Sequence, residues 1–289
     1  MKVLISTDTS CLMNNETFKN YDISVFPLNV LIDEVEYLDG VTITQEELKE
    51  AMHANKSIKT STPPIGKVIE YFEKLFAKGY DRIIHFTISS KLSSMFSLFS
   101  TVSANYFDNK VIVIDSYALS SVMLSQVFLA YDELKKGTDV DQIVELVEKF
   151  KHNNKVFFIP ENLTALKNGG RISSAAAFIG NTIGLKPVIS LTDGELVKEG
   201  MTRNVKNAFY EKFESIINEC PINEYDYSII EFDAKEAIVE SIIKKFDELL
   251  GGSTIRGIIP INVCAHCGPG TIGILLTPRI NGKSLKEFI

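Results

Sequence analysis

The sequence has 289 residues, of which 45% are hydrophobic and 23% charged, so it can bury a sizeable core as one large or two modest domains. Its formal net charge of −7 argues against general nucleic-acid binding, which depends on neutralising phosphates. No apolar run approaches the length of a membrane span, the N-terminal run is too short for a signal peptide, and four cysteines without a disulfide framework indicate a reducing cytoplasm.

Predicted strands in the N-terminal half end in clusters of hydroxyl and acidic side chains. The strands are Val3–Ser6, Arg82–Ile88 and Val111–Ile114, and the clusters are Thr7 to Ser10, Ser89 to Ser94 and Asp115-Ser116. Ligands of open α/β sheets gather at the carboxyl ends of the strands. The cluster from Thr7 to Ser10 is equally well explained as a cap for the next helix, and one such cluster alone is unremarkable. Their repetition along one sheet favours a shared polar rim.

Helical patterns alternate with these strands and predict an α/β fold whose N-terminal sheet is largely parallel and flanked by helices. The capping box Thr44-x-x-Glu47 opens one helix. Amphipathic or apolar spacing predicts further helices at Lys67–Lys78, Leu119–Lys136 and Asp139–Lys151. Ile23 to Ile32 predicts one more strand, interrupted by Pro27, and Thr60 to Pro64 predicts a hydroxyl-rich loop.

The stretch from Leu166 to Leu196 carries the most distinctive motif. Gly169-Gly170-Arg171, running into a helix, combines free backbone amides, a helix dipole and a guanidinium, which together favour an anion. The helix is expected through Ala175–Ile179, followed by a strand at Val188–Leu191 and a hairpin turn at Asp193-Gly194. The alternative is a helix and hairpin in which the arginine makes only a surface salt bridge.

Strands and helices continue to alternate in the C-terminal half. Helices are predicted at Arg203–Asn218 and Ala234–Leu250, and strands at Tyr227–Phe232, Ile258–Val263 and Ile272–Thr277. A boundary near Lys155 divides the chain into an N-terminal α/β domain, residues 1–155, and a C-terminal α/β domain, residues 156–289. The second domain then contains both the Gly-Gly-Arg-Ile-Ser and the His-x-Gly-Pro-Gly motifs.

The segment from Cys264 to Gly270 is predicted to be a tight loop after a strand. Its Cys-x-x-Cys spacing does not favour a zinc site, because a second ligand pair is missing, or a thioredoxin-like site, whose motif would open a helix. His266 at a strand exit is a candidate functional residue, with a structural role as the alternative. Ser93 with His266 stays open as an acyl-transfer pair, although the sequence has no Gly-x-Ser-x-Gly elbow.

Taken in chain order, these motifs resemble the DegV family of bacterial fatty-acid-binding proteins. The matching segments are Thr7 to Ser10, Thr60-Ser61-x-Pro63, Ser89 to Ser93, Asp115-Ser116, Leu166-Lys167-x-Gly169-Gly170-Arg171-Ile172-Ser173, Arg203 and His266-x-Gly268-Pro269-Gly270. The resemblance implies two α/β domains with a long-chain fatty acid between them as the only ligand, without cofactor, metal or catalytic residue. It places the carboxylate contacts on Thr60, Ser61 and Ser93 with His266 nearby, and basic residues that face the phosphate and the kinase at Arg171 and Arg203.

The resemblance also implies a role: a cytoplasmic carrier that presents the fatty acid to a separate fatty acid kinase, which makes an acyl phosphate for phospholipid synthesis. Peripheral membrane contact during lipid exchange is compatible with it. The chain departs from the family pattern at Thr62, where glutamine is usual, and at Ser94-Met95, where Gly-Thr is usual, so the preferred chain length stays undetermined. The rival hypotheses are a thioesterase-like hydrolase that uses Ser93 and His266, and a lipid-sensing regulator.

Overall fold

The computed structural model describes residues 1–11, 16–171 and 184–289. Within these ranges the strands are β1 (Val3–Asp8), β2 (Ile23–Phe26), β3 (Asn29–Ile32), β4 (Val35–Leu38), β5 (Ile58–Ser61), β6 (Arg82–Thr87), β7 (Val111–Asp115), β8 (Lys155–Ile159), β9 (Lys186–Thr192), β10 (Glu195–Thr202), β11 (Tyr225–Phe232), β12 (Ile255–Ile258) and β13 (Thr271–Pro278). The helices are α1 (Gln45–His53), α2 (Ile65–Phe76), α3 (Met95–Tyr106), α4 (Ser120–Lys136), α5 (Val140–Phe150), α6 (Thr164–Asn168), α7 (Val205–Ile216), α8 (Glu236–Leu250) and α9 (Ile261–Cys267).

A four-stranded sheet in the order β2-β1-β6-β7 forms the centre of the N-terminal half, and all of its strand pairs are parallel. Helices cover both faces, as the buried apolar strands of a parallel sheet require. Phe72 of α2 and Phe99 of α3 pack on one face with Ile83, while Val127 of α4 packs on the other with Ile84. The predicted α/β class with a parallel N-terminal sheet is therefore confirmed.

The C-terminal half is built on a six-stranded sheet in the order β10-β9-β8-β13-β11-β12. Its pairs are antiparallel except β11 with β12. Phe209 of α7 and Phe246 of α8 cover one face together with Ile274, whereas Ile230 and Leu275 on the opposite face belong to the core shared with the N-terminal half. This second face is the one that borders the candidate site. The division into two domains at residue 155 remains our proposal.

A small antiparallel sheet, β4-β3-β5, connects the two halves and was not predicted. The single strand expected at Ile23 to Ile32 is two strands in two different sheets, and Pro27 lies between them. Proline has no amide hydrogen to donate to a ladder, so pairing stops there and the chain changes direction. The loop predicted from Thr60 to Pro64 is wrong at Thr60 and Ser61, which form the end of β5, and is confirmed over residues 62–64.

Several local predictions agree with the structure. In the capping box of α1, the Thr44 hydroxyl accepts a hydrogen bond from the Glu47 amide, and the Glu47 carboxylate accepts one from the Thr44 amide. The turn at Asp193-Gly194 joins β9 and β10 as an antiparallel hairpin. The helix expected through Ala175–Ile179 lies outside the described residues.

The prediction for the segment before the Gly-Pro-Gly motif is wrong. β12 ends at Ile258, and Ile261–Cys267 forms the helix α9 instead of a strand end and a tight loop. Proline is favourable at the start of a helix, and Pro260 precedes the first residue of α9. Ile261, Cys264 and Ala265 are buried at helical spacing. None of the helices in the described ranges is long and apolar enough to cross a membrane.

Candidate functional site

A cavity lies between the inner face of the six-stranded sheet and the N-terminal half. The centre of a water-sized sphere can occupy about 140 Å³ of it, which is roughly ten times the minimum needed for one water. Most of its wall is apolar, formed by Leu28, Ile88, Leu92, Met95, Leu119, Val156, Phe158, Leu166, Leu191, Leu196, Ile230, Ile259, Val263 and Leu275. The polar lining residues include Asn29, Thr60, Ser61, Thr62, Ser93, Ser94, Arg171, Asn262, His266 and Thr271. A cavity of this composition suits a long apolar ligand with a polar group.

The polar part of the cavity is centred on a contact between two distant segments. Thr60 at the end of β5 and His266 on α9 are 206 residues apart, and the Thr60 Oγ1 atom lies 2.8 Å from His266 Nε2 in a shared hydrogen bond. Burial, and secondly the positive charge of Arg171, lower the pKa of His266 to about 4. The imidazole is therefore neutral near pH 7 and can both donate and accept a hydrogen bond.

Gly169 brings the Gly-Gly-Arg motif against this imidazole. A Cβ atom at Gly169 would lie only 2.1 Å from His266 Nδ1, so no side chain fits there. Nδ1 itself is buried and has no hydrogen-bond partner in the part of the chain that the structure describes. The two motifs that seemed separate in the sequence thus form one packed unit.

Arg171 is half-buried at the same end of the cavity. Its Nε atom donates to the Leu92 carbonyl oxygen at 3.1 Å, and its Nη1 atom donates to the Gly169 carbonyl oxygen at 2.5 Å. Burial lowers the pKa of this guanidinium. No carboxylate of the described ranges neutralises it, so the alternative of a surface salt bridge is wrong there. A partly desolvated cation without an anionic partner favours an anionic ligand.

The hydroxyls of Ser61 and Ser93 line the cavity near these groups. Neither hydroxyl has a hydrogen-bond partner among residues 1–11, 16–171 and 184–289, whereas Thr62 and Ser94 bond to each other at 2.9 Å. A serine hydroxyl can donate one hydrogen bond and accept two. Ser61 and Ser93 are therefore free to bind a ligand oxygen.

Arg203 is not part of this cluster. It is exposed in the connection between β10 and α7, and it does not line the cavity. β10 is an edge strand of the six-stranded sheet, which places its end at the surface. The structure thus separates the two arginines that the family resemblance grouped together: Arg171 contacts the cavity, and Arg203 faces solvent.

The polar rim predicted at the ends of β1, β6 and β7 exists, but its carboxylates bind the backbone. Asp8 accepts hydrogen bonds from the amides of Ser10 at 2.8 Å and Ile88 at 2.9 Å. Asp115 accepts from the amides of Ser90 and Tyr117. Burial raises the pKa of Asp8 to about 6. Neither carboxylate lines the cavity.

The β9–β10 hairpin forms part of the apolar wall of the cavity. The Ser89 hydroxyl, at the exit of β6, donates a 2.7 Å hydrogen bond to the Gly194 carbonyl oxygen in the hairpin turn. This contact holds Leu191 and Leu196, one on each strand of the hairpin, against the N-terminal half, where they line the cavity. Within the predicted rim, Ser89 therefore fixes the hairpin that forms part of the cavity wall, whereas Ser93 of the same cluster lines the cavity itself.

The sequence analysis missed Asn262, which lies one helical turn before His266 on α9. The backbone amide of Asn262 donates to Asp39 Oδ2 at 3.0 Å, and its side-chain Nδ2 atom donates to the Ser10 hydroxyl at 2.8 Å. Its side-chain Oδ1 atom is buried without a partner in the described part of the chain. Burial raises the pKa of Asp39 to about 7. The helical i, i+4 spacing of Asn262 and His266 is the signal that would have found it, had α9 been predicted.

The contacts of His266 do not form a hydrolase triad. Its Nε2 atom pairs with Thr60 and not with Ser93, and its Nδ1 atom meets no carboxylate of the described residues. Cys264 and Cys267 are buried on α9, and burial raises the pKa of the Cys264 thiol. No group of three histidine, cysteine or acidic residues in the described ranges could hold a metal ion.

Comparisons with known proteins agree with this architecture. The family model described as "Uncharacterised protein, DegV family" matches residues 2–279. A DegV domain-containing protein of Staphylococcus aureus is 31% identical over 286 residues, which cover 96% of this chain and 99% of that protein. A stearic acid-binding protein from Eubacterium ventriosum has a TM-score of 0.85 at 25% identity and covers 97% of this chain and 99% of its own. A fatty-acid-binding DegV family protein from Thermus thermophilus has a TM-score of 0.86 at 24% identity, over 96% of this chain and 100% of its own.

Proposed function

This chain belongs to the DegV family, and we propose that it binds one long-chain fatty acid in the cavity between its two halves. The carboxylate lies at the polar end, near Thr60, Ser93 and His266, and the acyl chain extends along the apolar wall. The observation that carries the proposal is a set of unpartnered hydrogen-bonding groups at one part of a cavity whose wall is mostly apolar. The stearic acid-binding neighbour supports the same ligand class.

The energetics of an acyl chain agree with this cavity. Burying one methylene contributes about 0.8 kcal/mol, so a chain of ~15 methylenes contributes roughly 12 kcal/mol. Association itself costs about 4–15 kcal/mol. Tight binding therefore requires that the protein cover nearly the whole chain, and the hairpin held at Gly194 contributes Leu191 and Leu196 to that cover.

The carboxylate requires partners, because burying an unpaired charge is far more costly than burying a hydroxyl. The hydroxyls of Ser61 and Ser93 can each donate one hydrogen bond. The Arg171 guanidinium supplies positive charge nearby, while its Nε and Nη1 atoms remain bonded to backbone carbonyls. His266, neutral near pH 7, adds a donor or an acceptor without a second charge.

We also propose that the protein is a carrier and not an enzyme: a separate fatty acid kinase in the cytoplasm phosphorylates the bound carboxylate for phospholipid synthesis, with peripheral membrane contact during lipid exchange. An acyl phosphate carries more negative charge than a carboxylate, and arginine binds phosphate well. Arg171 at the cavity and Arg203 at the surface would serve the phosphate and the kinase. The lack of an acid partner for His266 among the described residues supports a carrier over a hydrolase.

Mass spectrometry of small molecules extracted from the purified, denatured protein tests the ligand. We expect a fatty acid at close to one molecule per chain. A preparation that contains no stoichiometric lipid and takes up no added fatty acid would overturn the proposal. An assay with acyl thioesters tests the hydrolase alternative, for which turnover must be lost in Ser93→Ala.

A further inference from the structure

Gly273 lies in the middle of β13, which is one of the two central strands of the six-stranded sheet. A glycine weakens a strand interior, because it adds no packing and loses more conformational freedom on folding than other residues. The backbone does not require glycine here, since Gly273 is not among the residues of positive φ. A glycine at such a position often marks the close approach of a ligand or another chain segment.

Two large side chains stand on either side of Gly273. Its paired neighbours are Ile230 on β11 and Phe158 on β8, and all three residues line the cavity. A Cβ atom added to Gly273 would lie 3.2 Å from Ile230 Cγ1, and 3.5 Å from Phe158 Cβ and from Leu275 Cδ1. Gly273 is thus the floor of a furrow in the sheet, with Ile230 and Phe158 as its walls and the Leu275 side chain reaching toward it along β13.

The furrow runs from the polar end of the cavity to the apolar end. Thr271, Gly273 and Leu275 alternate along β13 and line the cavity. The Thr271 hydroxyl bonds to the carbonyl oxygen of Cys267, the residue after His266. Leu275 pairs with Val156 of β8, and Val156 pairs with Leu191 of the β9–β10 hairpin. At about 3.3 Å per residue, the distance from Thr271 to Leu275 is roughly 13 Å.

We propose that Gly273 is a specificity-determining residue: its missing side chain leaves the passage through which a long acyl chain extends beyond the polar end of the cavity. This inference rests on the proposed binding of a fatty acid and adds which residue sets the length of chain accepted. A larger side chain at position 273 fills the furrow between Ile230 and Phe158. The protein then retains the carboxylate contacts and loses the contacts of the distal methylenes.

The test compares Gly273→Val and Gly273→Ala with the control Gly200→Val, using delipidated protein and calorimetric titration with decanoate and octadecanoate. Gly200 is a strand glycine of β10, also without positive φ, and a Cβ atom there meets nothing within 4 Å. Loss of two or more buried methylenes, at about 0.8 kcal/mol each, lowers affinity more than about tenfold. We expect this loss for octadecanoate in Gly273→Val, less than a threefold change for decanoate, a smaller effect in Gly273→Ala, and wild-type affinities in Gly200→Val.

An equal loss for both acids, or no loss for either, overturns the role of Gly273. If Gly273→Val does not fold, the fatty acids that copurify with Gly273→Ala decide the question: a shift toward shorter chains than in the wild type supports the inference, and an unchanged profile refutes it. Failure of the proposed function is distinguishable, because then the wild type itself binds neither acid.

Discussion

Two polar regions of this protein look alike in the sequence and differ in the structure. The rim at the ends of the parallel strands carries Asp8 and Asp115, and both carboxylates are bonded to backbone amides of the loops beside them. The cavity end, formed by β5, α9 and the loop that contains Ser93, carries the His266 imidazole, whose Nδ1 atom is buried without a partner among the described residues, and the hydroxyls of Ser61 and Ser93. The first region stabilises loops, and the second can bind a ligand.

The difference shows that a polar cluster at a strand exit does not by itself indicate a binding site. What distinguishes the two regions is their unused hydrogen-bonding capacity, which only the folded structure reveals. We therefore expect substitutions of the two rim carboxylates to change stability with little effect on ligand affinity. Substitutions at the cavity end should lower ligand affinity with little effect on stability.

The largest effect is expected for Asp8→Ala. The substitution leaves the amides of Ser10 and Ile88 buried without their acceptor, at about 1–3 kcal/mol each. We expect the free energy of unfolding, measured with urea at pH 4, below the raised pKa of Asp8, to fall by about 3 kcal/mol. Asp8→Asn, which retains one acceptor oxygen, should lose less.

Fatty acid affinity of the folded Asp8→Ala variant should stay within about threefold of the wild type, because Asp8 does not line the cavity. A large loss of affinity at nearly normal stability would show that Asp8 contributes to binding and that the two polar regions do not differ in this respect.

Asp39→Asn should change how stability depends on pH. Burial raises the pKa of Asp39 from 3.8 to about 7. Between about pH 4 and 7 the folded state therefore binds more protons at this site than the unfolded state, so its contribution to stability is lost as the pH rises. Asp39→Asn lacks this loss, so its free energy of unfolding should rise relative to that of the wild type by on the order of 3 kcal/mol between pH 4 and pH 8.

Urea unfolding of both proteins across this pH range measures the effect. His85 and His266, whose pKa values burial lowers to about 3 and 4, titrate in the opposite sense, but they do so in both proteins and cancel in the difference. A stability difference between the two proteins that is constant from pH 4 to pH 8 would refute the buried, protonated Asp39.

Ser93→Ala tests the cavity end. Loss of one hydrogen bond to a charged group should weaken fatty acid binding by about 1–3 kcal/mol. The unfolding free energy should change by less than about 0.5 kcal/mol, because the hydroxyl has no partner in the described structure. Ser94→Ala is the matched control: its hydroxyl already bonds to Thr62. Equal affinities of Ser93→Ala and the wild type would remove Ser93 from the site.

The rim could be predicted because alternation of strands and helices is a local signal, and parallel strands bring their ends together. The residues of the cavity end were named only through the family resemblance, because no local pattern reveals a contact that joins Thr60 to His266 across 206 residues. The short apolar run at Ile258 to Val263 predicted a strand, so neither the helix α9 nor the role of Asn262 on it was predicted. Gly273 did carry a local signal, a glycine inside a predicted strand, but its meaning depended on Ile230 and Phe158 from other strands.

The smallest effect on binding is expected for Arg203→Ala, and it separates binding from presentation. Arg203 is exposed, lies off the cavity and has no ion pair within the described ranges. We therefore expect fatty acid affinity to change by less than about 0.5 kcal/mol. If Arg203 contacts the kinase or the nascent phosphate, however, phosphorylation of the bound acid should decrease. Arg203→Lys keeps the charge but loses the planar fork, so it should restore only part of the rate.

The measurement is turnover by a cognate fatty acid kinase, with lipid-loaded wild type and both variants at subsaturating concentration. Arg171→Lys provides the contrast, because its side chain lines the cavity and bonds to the carbonyls of Leu92 and Gly169. That substitution should weaken binding and phosphorylation together, whereas Arg203→Ala should weaken phosphorylation alone. A wild-type rate for Arg203→Ala would mean that this arginine has no part in presentation. The polar end of the cavity, with Arg171, would then be the region that presents the carboxylate to the kinase.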